Sequence, residues 1–147
     1  MKSEAEPITD DEWLLRRVNK DRFRTAQTPL ISPGAFEPRV KGRDPDVDGI
    51  SFYRASCLES AEAILTSLQP PKREETGIVR MQVSSLARLE LSVQPKPVPT
   101  IPGHVVIPEM NSIDYPTQKS EIGKQMLGLA EIASEDENIV RWPNSLP

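Results

Sequence analysis

Fifteen prolines in 147 residues set the first limit on this chain. Proline lacks a main-chain N–H and holds φ near about −65°, so it stops helices and removes donors from sheets. Pro29, Pro33, Pro38 and Pro45 divide one stretch, and Pro95, Pro97, Pro99 and Pro102 divide another. Such punctuation predicts long loops around a small regular core rather than a helical bundle.

The most regular stretch lies between those two, from Asp48 to Val83. Asp48-Gly49 is a turn signal, because glycine takes positive φ without a steric cost. Ile50, Phe52 and Ala55 then alternate with Ser51, Tyr53 and Arg54, which predicts a strand. Ser56-Cys57-Leu58-Glu59 has capping-box spacing: the Ser oxygen would accept from an orphan amide and the Glu would reach back. Leu58, Ala61, Leu65 and Leu68, with Ile64 beside them, form the apolar stripe of an amphipathic helix. Pro70-Pro71 ends it. Val79, Met81 and Val83 alternate with Ile78, Arg80 and Gln82, so a second strand should point the first set inward.

The remainder is read around this unit. Residues 1–8 and 144–147 are expected to be loose tails of a single domain spanning 1–147. Thr9-Asp10-Asp11-Glu12 is a second capping-box pattern and predicts a short helix that leads into extended Arg17-Val18. Residues 19–47 lack periodicity, although Ser32-Pro33-Gly34-Ala35-Phe36 reads as a turn with Phe36 tucked against the core. A loop of that length is usually functional or mobile. Ser84 to Ala87 reads as one helical turn, and Leu89, Leu91 and Val93 as a strand. The Pro95–Pro102 segment is extended, and His104-Val105-Val106-Ile107 is a short strand. Residues 109–116 form a loop, and Thr117 or Ser120 caps a last helix with Ile122, Met126, Leu129, Ala130 and Ala133 on its apolar face. Ile139 to Trp142 could add an edge strand. The expected fold is therefore α+β: a small, mostly antiparallel sheet of four to six strands, two or three helices and long proline-rich loops.

Charge and cysteine content narrow the function classes. A net charge of −4 argues against generic nucleic-acid binding, which favours a basic face. The single Cys57 excludes an intramolecular disulfide and fits a reducing compartment. No apolar run approaches the length that spans a bilayer, and Met-Lys-Ser-Glu-Ala-Glu-Pro has no signal-peptide character. A cytoplasmic protein with no membrane association is expected.

Few residues form a pattern with chemical meaning. His104 is the sole histidine, so a Ser-His-Asp arrangement would have to use it, yet no Gly-x-Ser-x-Gly elbow accompanies it. The simpler reading is a ring hydrogen-bonded at a strand end. One His and one Cys, far apart, offer no zinc spacing. Asp44-Pro45-Asp46-Val47-Asp48-Gly49 matches the first six positions of a calcium loop, but Ala55 stands where the final Glu belongs. A solvated acidic turn after the basic run Arg39-Val40-Lys41-Gly42-Arg43 is the alternative. Arg16, Arg17, Lys20, Arg22 and Arg24 could meet an acidic partner or form a solvated face. There is no phosphate-cradling glycine loop and no Cys-x-x-Cys, so no metal and no cofactor is expected.

Leu14-Leu15-Arg16-Arg17-Val18, then Ser32-Pro33-Gly34-Ala35-Phe36-Glu37-Pro38, then Asp48-Gly49-Ile50-Ser51, then Gly103-His104-Val105-Val106-Ile107 occur in that order. The series resembles a group of small bacterial proteins to which no activity is attached, over roughly residues 14–107. It implies a bacterial single-domain protein. A second likeness is to small folds of the ADP-ribosyltransferase or RES type, which it implies through the order Arg17, Tyr53, Glu62. The Gly-Arg-Phe-Asn type segment of the RES family is absent, and only Glu109 could serve as a late catalytic Glu.

These observations lead first to a non-enzymatic binding or accessory protein of a bacterial multi-component system, acting on a protein partner. Candidate binding residues are Phe36, Arg39, Lys41 and Arg43. A small transferase or hydrolase acting on a nucleotide-like ligand is the second expectation, with Arg17, Tyr53 and His104 converging in one pocket. An antitoxin or immunity protein, whose acidity matches a basic toxin, is the third.

Overall fold

A computed structural model of the chain describes residues 1–19, 36–40, 42, 44–60, 62–69, 76–114 and 131–132. Its centre is a six-stranded sheet. The strands are β1 (Trp13–Asn19), β2 (Ile50–Arg54), β3 (Thr76–Gln82), β4 (Gln94–Pro95), β5 (His104–Ile107) and β6 (Glu131–Ile132). Their order across the sheet is β4-β5-β2-β1-β3-β6. Every neighbouring pair is antiparallel. A 3₁₀ turn (Ala55–Cys57), α1 (Glu62–Thr66) and α2 (Val83–Arg88) complete the regular elements among the described residues. The fold is thus of the α+β class that the sequence predicts.

Register sorts the side chains onto two faces. Leu14 lies opposite Met81 and Arg54, and Phe52 opposite Val105. Successive strand residues point to opposite sides, so Leu14, Phe52, Met81, Val79, Val105 and Ile107 share one face. They form the main core with Phe36, Leu86, Leu91 and Met110. Leu15, Tyr53 and Ile78 share the other face, where Leu58, Ile64 and Ile101 cover them. Val79, Met81 and Val83 do face the main core, as their alternation predicts. Ile78 is equally buried because the segment around α1 lies over its side of the sheet. Burying each such side chain contributes roughly 1.5–3 kcal/mol.

Four local expectations are corrected. The Thr9–Glu12 pattern forms its backward bond, with the Thr9 amide donating to Glu12 Oε2 at 2.8 Å, and the Glu12 amide donating to Thr9 O at 3.2 Å. The chain then enters β1 instead of a helix, because Leu14 and Leu15 are buried on opposite faces of the sheet. Ser56 does not cap a helix; its Oγ donates to Glu12 Oε1 at 2.6 Å, and α1 begins only at Glu62. Leu89 to Val93 is not a strand. Glu131–Ile132 pairs with β3 as a strand, where a helical face was expected. The expected helix from 117 onward, the 139–142 strand, the 144–147 tail and most of 19–47 otherwise lie outside the described residues.

The amino-terminal segment, expected to be loose, is tied down by one buried arginine. Arg54 is 1% exposed. Its Nε donates to Glu12 Oε1 at 2.8 Å and its Nη2 to Glu12 Oε2 at 2.9 Å. The remaining N–H groups donate to the carbonyls of Glu4 (3.4 Å), Glu6 (2.9 Å) and Pro7 (3.3 Å). All five guanidinium N–H donors therefore have an acceptor, which is the condition for burying an arginine. The Lys2 amide adds a bond to Ser56 O at 2.7 Å. Beyond Glu12, the same turn serves α2: the Val83 and Ser84 amides donate to Glu12 O and Asp10 O, each at 3.0 Å. These main-chain carbonyls replace the side-chain cap that Gln82 lacks.

Burial raises the Glu12 carboxyl pKa, but hydrogen bonds from Arg54, Ser56 and the Thr9 amide, with the Arg54 charge, outweigh it and bring it down from 4.5 to about 2. A carboxylate whose folded pKa lies below its unfolded value stabilises the fold above pH 4.5, and that stability is lost as pH falls through about 2. The contribution is on the order of 3 kcal/mol. Urea denaturation should show stability falling across this window, and Glu12→Gln should flatten the fall. An unchanged slope in the variant would overturn this account.

α2 ends in a Schellman motif, and this removes the expected strand. Glu90 has φ of 61°. Its amide donates to Ala87 O, and the Leu91 amide donates to Leu86 O, both at 3.0 Å. Leu86 and Leu91 meet in the main core, completing the hydrophobic contact of the motif. A left-handed glutamate costs roughly 1 kcal/mol relative to glycine there. Glu90→Gly should therefore raise the urea midpoint by the equivalent of about 1 kcal/mol; a lower midpoint would count against the cap assignment.

Candidate functional site

Three of the residues singled out from sequence, Arg17, Tyr53 and His104, gather on the second face of the sheet, where β1, β2 and β5 run side by side. Tyr53 on β2 lies opposite His104 on β5 and opposite Leu15 on β1. Arg17 is two residues along β1 from Leu15, so it shares that face. The Tyr53 and His104 rings meet edge-on, with centroids 5.3 Å apart and planes at 61°. The Arg17 guanidinium lies over the Tyr53 ring at 5.7 Å. Arg17, Tyr53 and His104 thus form a contiguous row. Tyr53 is buried at its centre.

Both ring nitrogens of His104 have partners. Nδ1 lies 2.7 Å from the main-chain carbonyl of Lys96. A carbonyl only accepts, so Nδ1 carries the hydrogen. Nε2 lies 3.0 Å from Ser51 Oγ. In the neutral ring Nε2 is then the acceptor and the Ser51 hydroxyl the donor. The register Ser51↔Val106 and Tyr53↔His104 places Ser51 and His104 on the same face, one step apart diagonally. Gly103, at φ of 86°, brings the chain into β5 so closely that a Cβ there would meet Cys57 Cβ at 2.9 Å.

A shallow surface depression of about 370 Å³ has Asp48, Gln94, Lys96 and Val106 among its lining residues. Val106 is the cross-strand partner of Ser51, and Lys96 supplies the carbonyl that holds His104. Lys96 Nζ pairs with Asp48 Oδ2 at the rim. A second open depression lies against the amino-terminal segment, lined by Met1, Lys2, Glu6, Pro7, Thr9 and Ser56.

The acidic loop is bonded internally. The Arg39 amide donates to Asp46 Oδ2 at 2.6 Å. The Asp46 amide donates to Arg39 O at 2.8 Å, and Asp46 O accepts from the Gly49 and Ser112 amides. With Asp48 paired to Lys96, the carboxylates of the calcium-like motif do not converge, and no group of three metal-ligating side chains occurs among the described residues. Arg16 points to the main-core face instead of joining a solvated basic cluster. Its Nη1 donates to Ser51 O at 2.9 Å, and its guanidinium lies over Phe52 at 5.7 Å. Burial lowers its pKa to about 10, against the pull of Asp46 and with the help of Arg17 and Arg39.

Of the expected binding residues, Arg39 is exposed, whereas Phe36 is fully buried in the main core and is inaccessible to a partner. Lys41 and Arg43 lie outside the described residues, as do Lys20, Arg22 and Arg24. Glu62 opens α1. Glu109, the late glutamate of the ADP-ribosyltransferase-like order, accepts from the Ser92 amide at 2.9 Å and from Ser92 Oγ at 2.7 Å, holding a loop. Ser51 escaped the sequence reading because nothing local links it to His104, 53 positions away. Its alternation with Tyr53 was the one available signal. Comparison with known proteins yields no match to any family model, curated protein or solved structure.

Proposed function

We propose that this chain is an accessory protein of a bacterial multi-component system and that it acts by docking a protein partner. The observation that carries this reading is a group of exposed apolar side chains around Asp46. Val40, Val47 and Ile113 are 44%, 49% and 71% exposed. Each is Asp46's own chain neighbour or the neighbour of a residue bonded to it: Val40 follows Arg39, Val47 follows Asp46, and Ile113 follows Ser112. Exposed apolar side chains rimmed by polar groups mark interaction surfaces. Arg39 flanks the group, and Val47 continues into the depression beside Lys96. No helix among the described residues is long and apolar enough to cross a membrane.

A small transferase or hydrolase is the second reading. The contiguity of Arg17, Tyr53 and His104 favours it, whereas the burial of Tyr53 and the lack of a lined cavity over the row among the described residues count against a nucleotide pocket.

A tagged pull-down from the native host, followed by mass determination of the complex, tests the first reading. One stoichiometric protein partner is expected. Val47→Asp with Ile113→Asp should reduce its retention by about tenfold or more, the equivalent of 1.4 kcal/mol, with circular dichroism unchanged. A protein that emerges alone and monomeric, or a partner held equally by the double variant, would overturn it.

A further inference from the structure

We infer that Ser51 is a nucleophile activated by His104, and that the site takes the acyl group of small activated esters or thioesters. This goes beyond the docking reading and holds whether or not a partner binds.

The argument is geometric. A serine nucleophile needs a base within about 2.6–3.2 Å of its oxygen and a third group that fixes the base. Ser51 Oγ and His104 Nε2 are 3.0 Å apart. The Lys96 carbonyl, 2.7 Å from Nδ1, fixes the tautomer that leaves the Nε2 lone pair facing the hydroxyl. The Tyr53 ring edge-on to the imidazole limits its rotation. Both side chains are half-buried, so neither is sealed in the core. A depression nearby is lined by Val106, across from Ser51, and by Lys96, whose ammonium is paired with Asp48. A strand-end histidine needing only satisfaction could bond any water or carbonyl; here Nε2 is aimed at a hydroxyl.

In the reaction, Ser51 Oγ bonds to the acyl carbon and passes its proton to His104 Nε2, while the carbonyl electron pair moves onto oxygen. As that pair returns, the bond to the leaving oxygen or sulfur breaks, and the imidazolium gives its proton to the leaving group. Water then attacks the acyl-Ser51 ester, His104 takes its proton, and the carboxylic acid departs as Ser51 regains a proton. A neutral carbonyl stabilises the imidazolium less than a carboxylate does. Substrates with good leaving groups are therefore the class this site suits.

The test uses the full chain with 4-nitrophenyl acetate, reading nitrophenolate release and intact mass. One acetyl adduct mapped to Ser51 is expected. Ser51→Ala should abolish it, and His104→Gln should slow it by about 100-fold or more, the usual contribution of a positioned base. If His104→Gln fails to fold, labelling of folded against urea-unfolded wild type replaces it, with the same factor expected for Ser51. No adduct at Ser51, equal labelling of the His104 variant, or equal labelling of the unfolded chain would overturn the inference.

Discussion

A single buried ion pair determines how the amino-terminal segment meets the sheet. Arg54 ends β2 with its side chain on the main-core face, where an uncompensated charge would cost several kcal/mol. Glu12, just before β1, meets it through two bonds, and three carbonyls of residues 4–7 take the rest. Because every donor is used, the segment cannot leave without orphaning a charge. Removing either partner alone costs about 3–5 kcal/mol in comparable buried pairs, while the intact pair adds little net stability over a hydrophobic substitute. The pair thus specifies arrangement more than it adds stability: it sets where the turn at Thr9 lies, and through Asp10 and Glu12 it supplies the acceptors that start α2.

The same arrangement bears on the second face. Arg54 also sits beside the entry to β5, since its amide donates to Gly103 O at 2.8 Å. Gly103 has no room for a side chain against Cys57 and the Arg54 backbone. That close approach places His104 opposite Tyr53 and within reach of Ser51. At the other end of the pair of strands, Gly49 is held at φ of 117°, and a Cβ there would lie 2.2 Å from Ile107 O. Two glycines therefore bracket β2 and β5, and the Ser51–His104 pair lies between them.

The exposed apolar side chains around Asp46 and the Ser51–His104 pair are separate features of the fold. Asp46 organises the first, its carboxylate accepting from the Arg39 amide and its main chain bonding Arg39 and Ser112, while Val40, Val47 and Ile113 stay exposed. The strand register produces the second. Val47, Asp48, Lys96 and Val106 line one shallow depression.

Local pattern determined much of the fold. Alternation at Ile50–Arg54 and at Val79–Val83, and the short apolar run His104–Ile107, were sufficient to place three strands, because side-chain direction along a strand depends only on position. The prolines after Gln94 confined β4 to two residues for the same local reason. What failed were patterns whose meaning depends on distant groups. Thr9-Asp10-Asp11-Glu12 makes the backward bond of a capping box, but Arg54, 42 positions away, also binds the glutamate, and burial of Leu14 and Leu15 on opposite faces carries the chain into a strand. Leu89, Leu91 and Val93 alternate, but the pull of Leu91 into the core beside Leu86 closed a helix cap instead. Arg17, Tyr53 and His104 were visible as single residues, and Ser51 was not, since only strand order makes them neighbours. The sequence by itself determined which segments could be strands; the tertiary structure decided which side chains meet, because contact across a sheet depends on register and register is a property of paired strands.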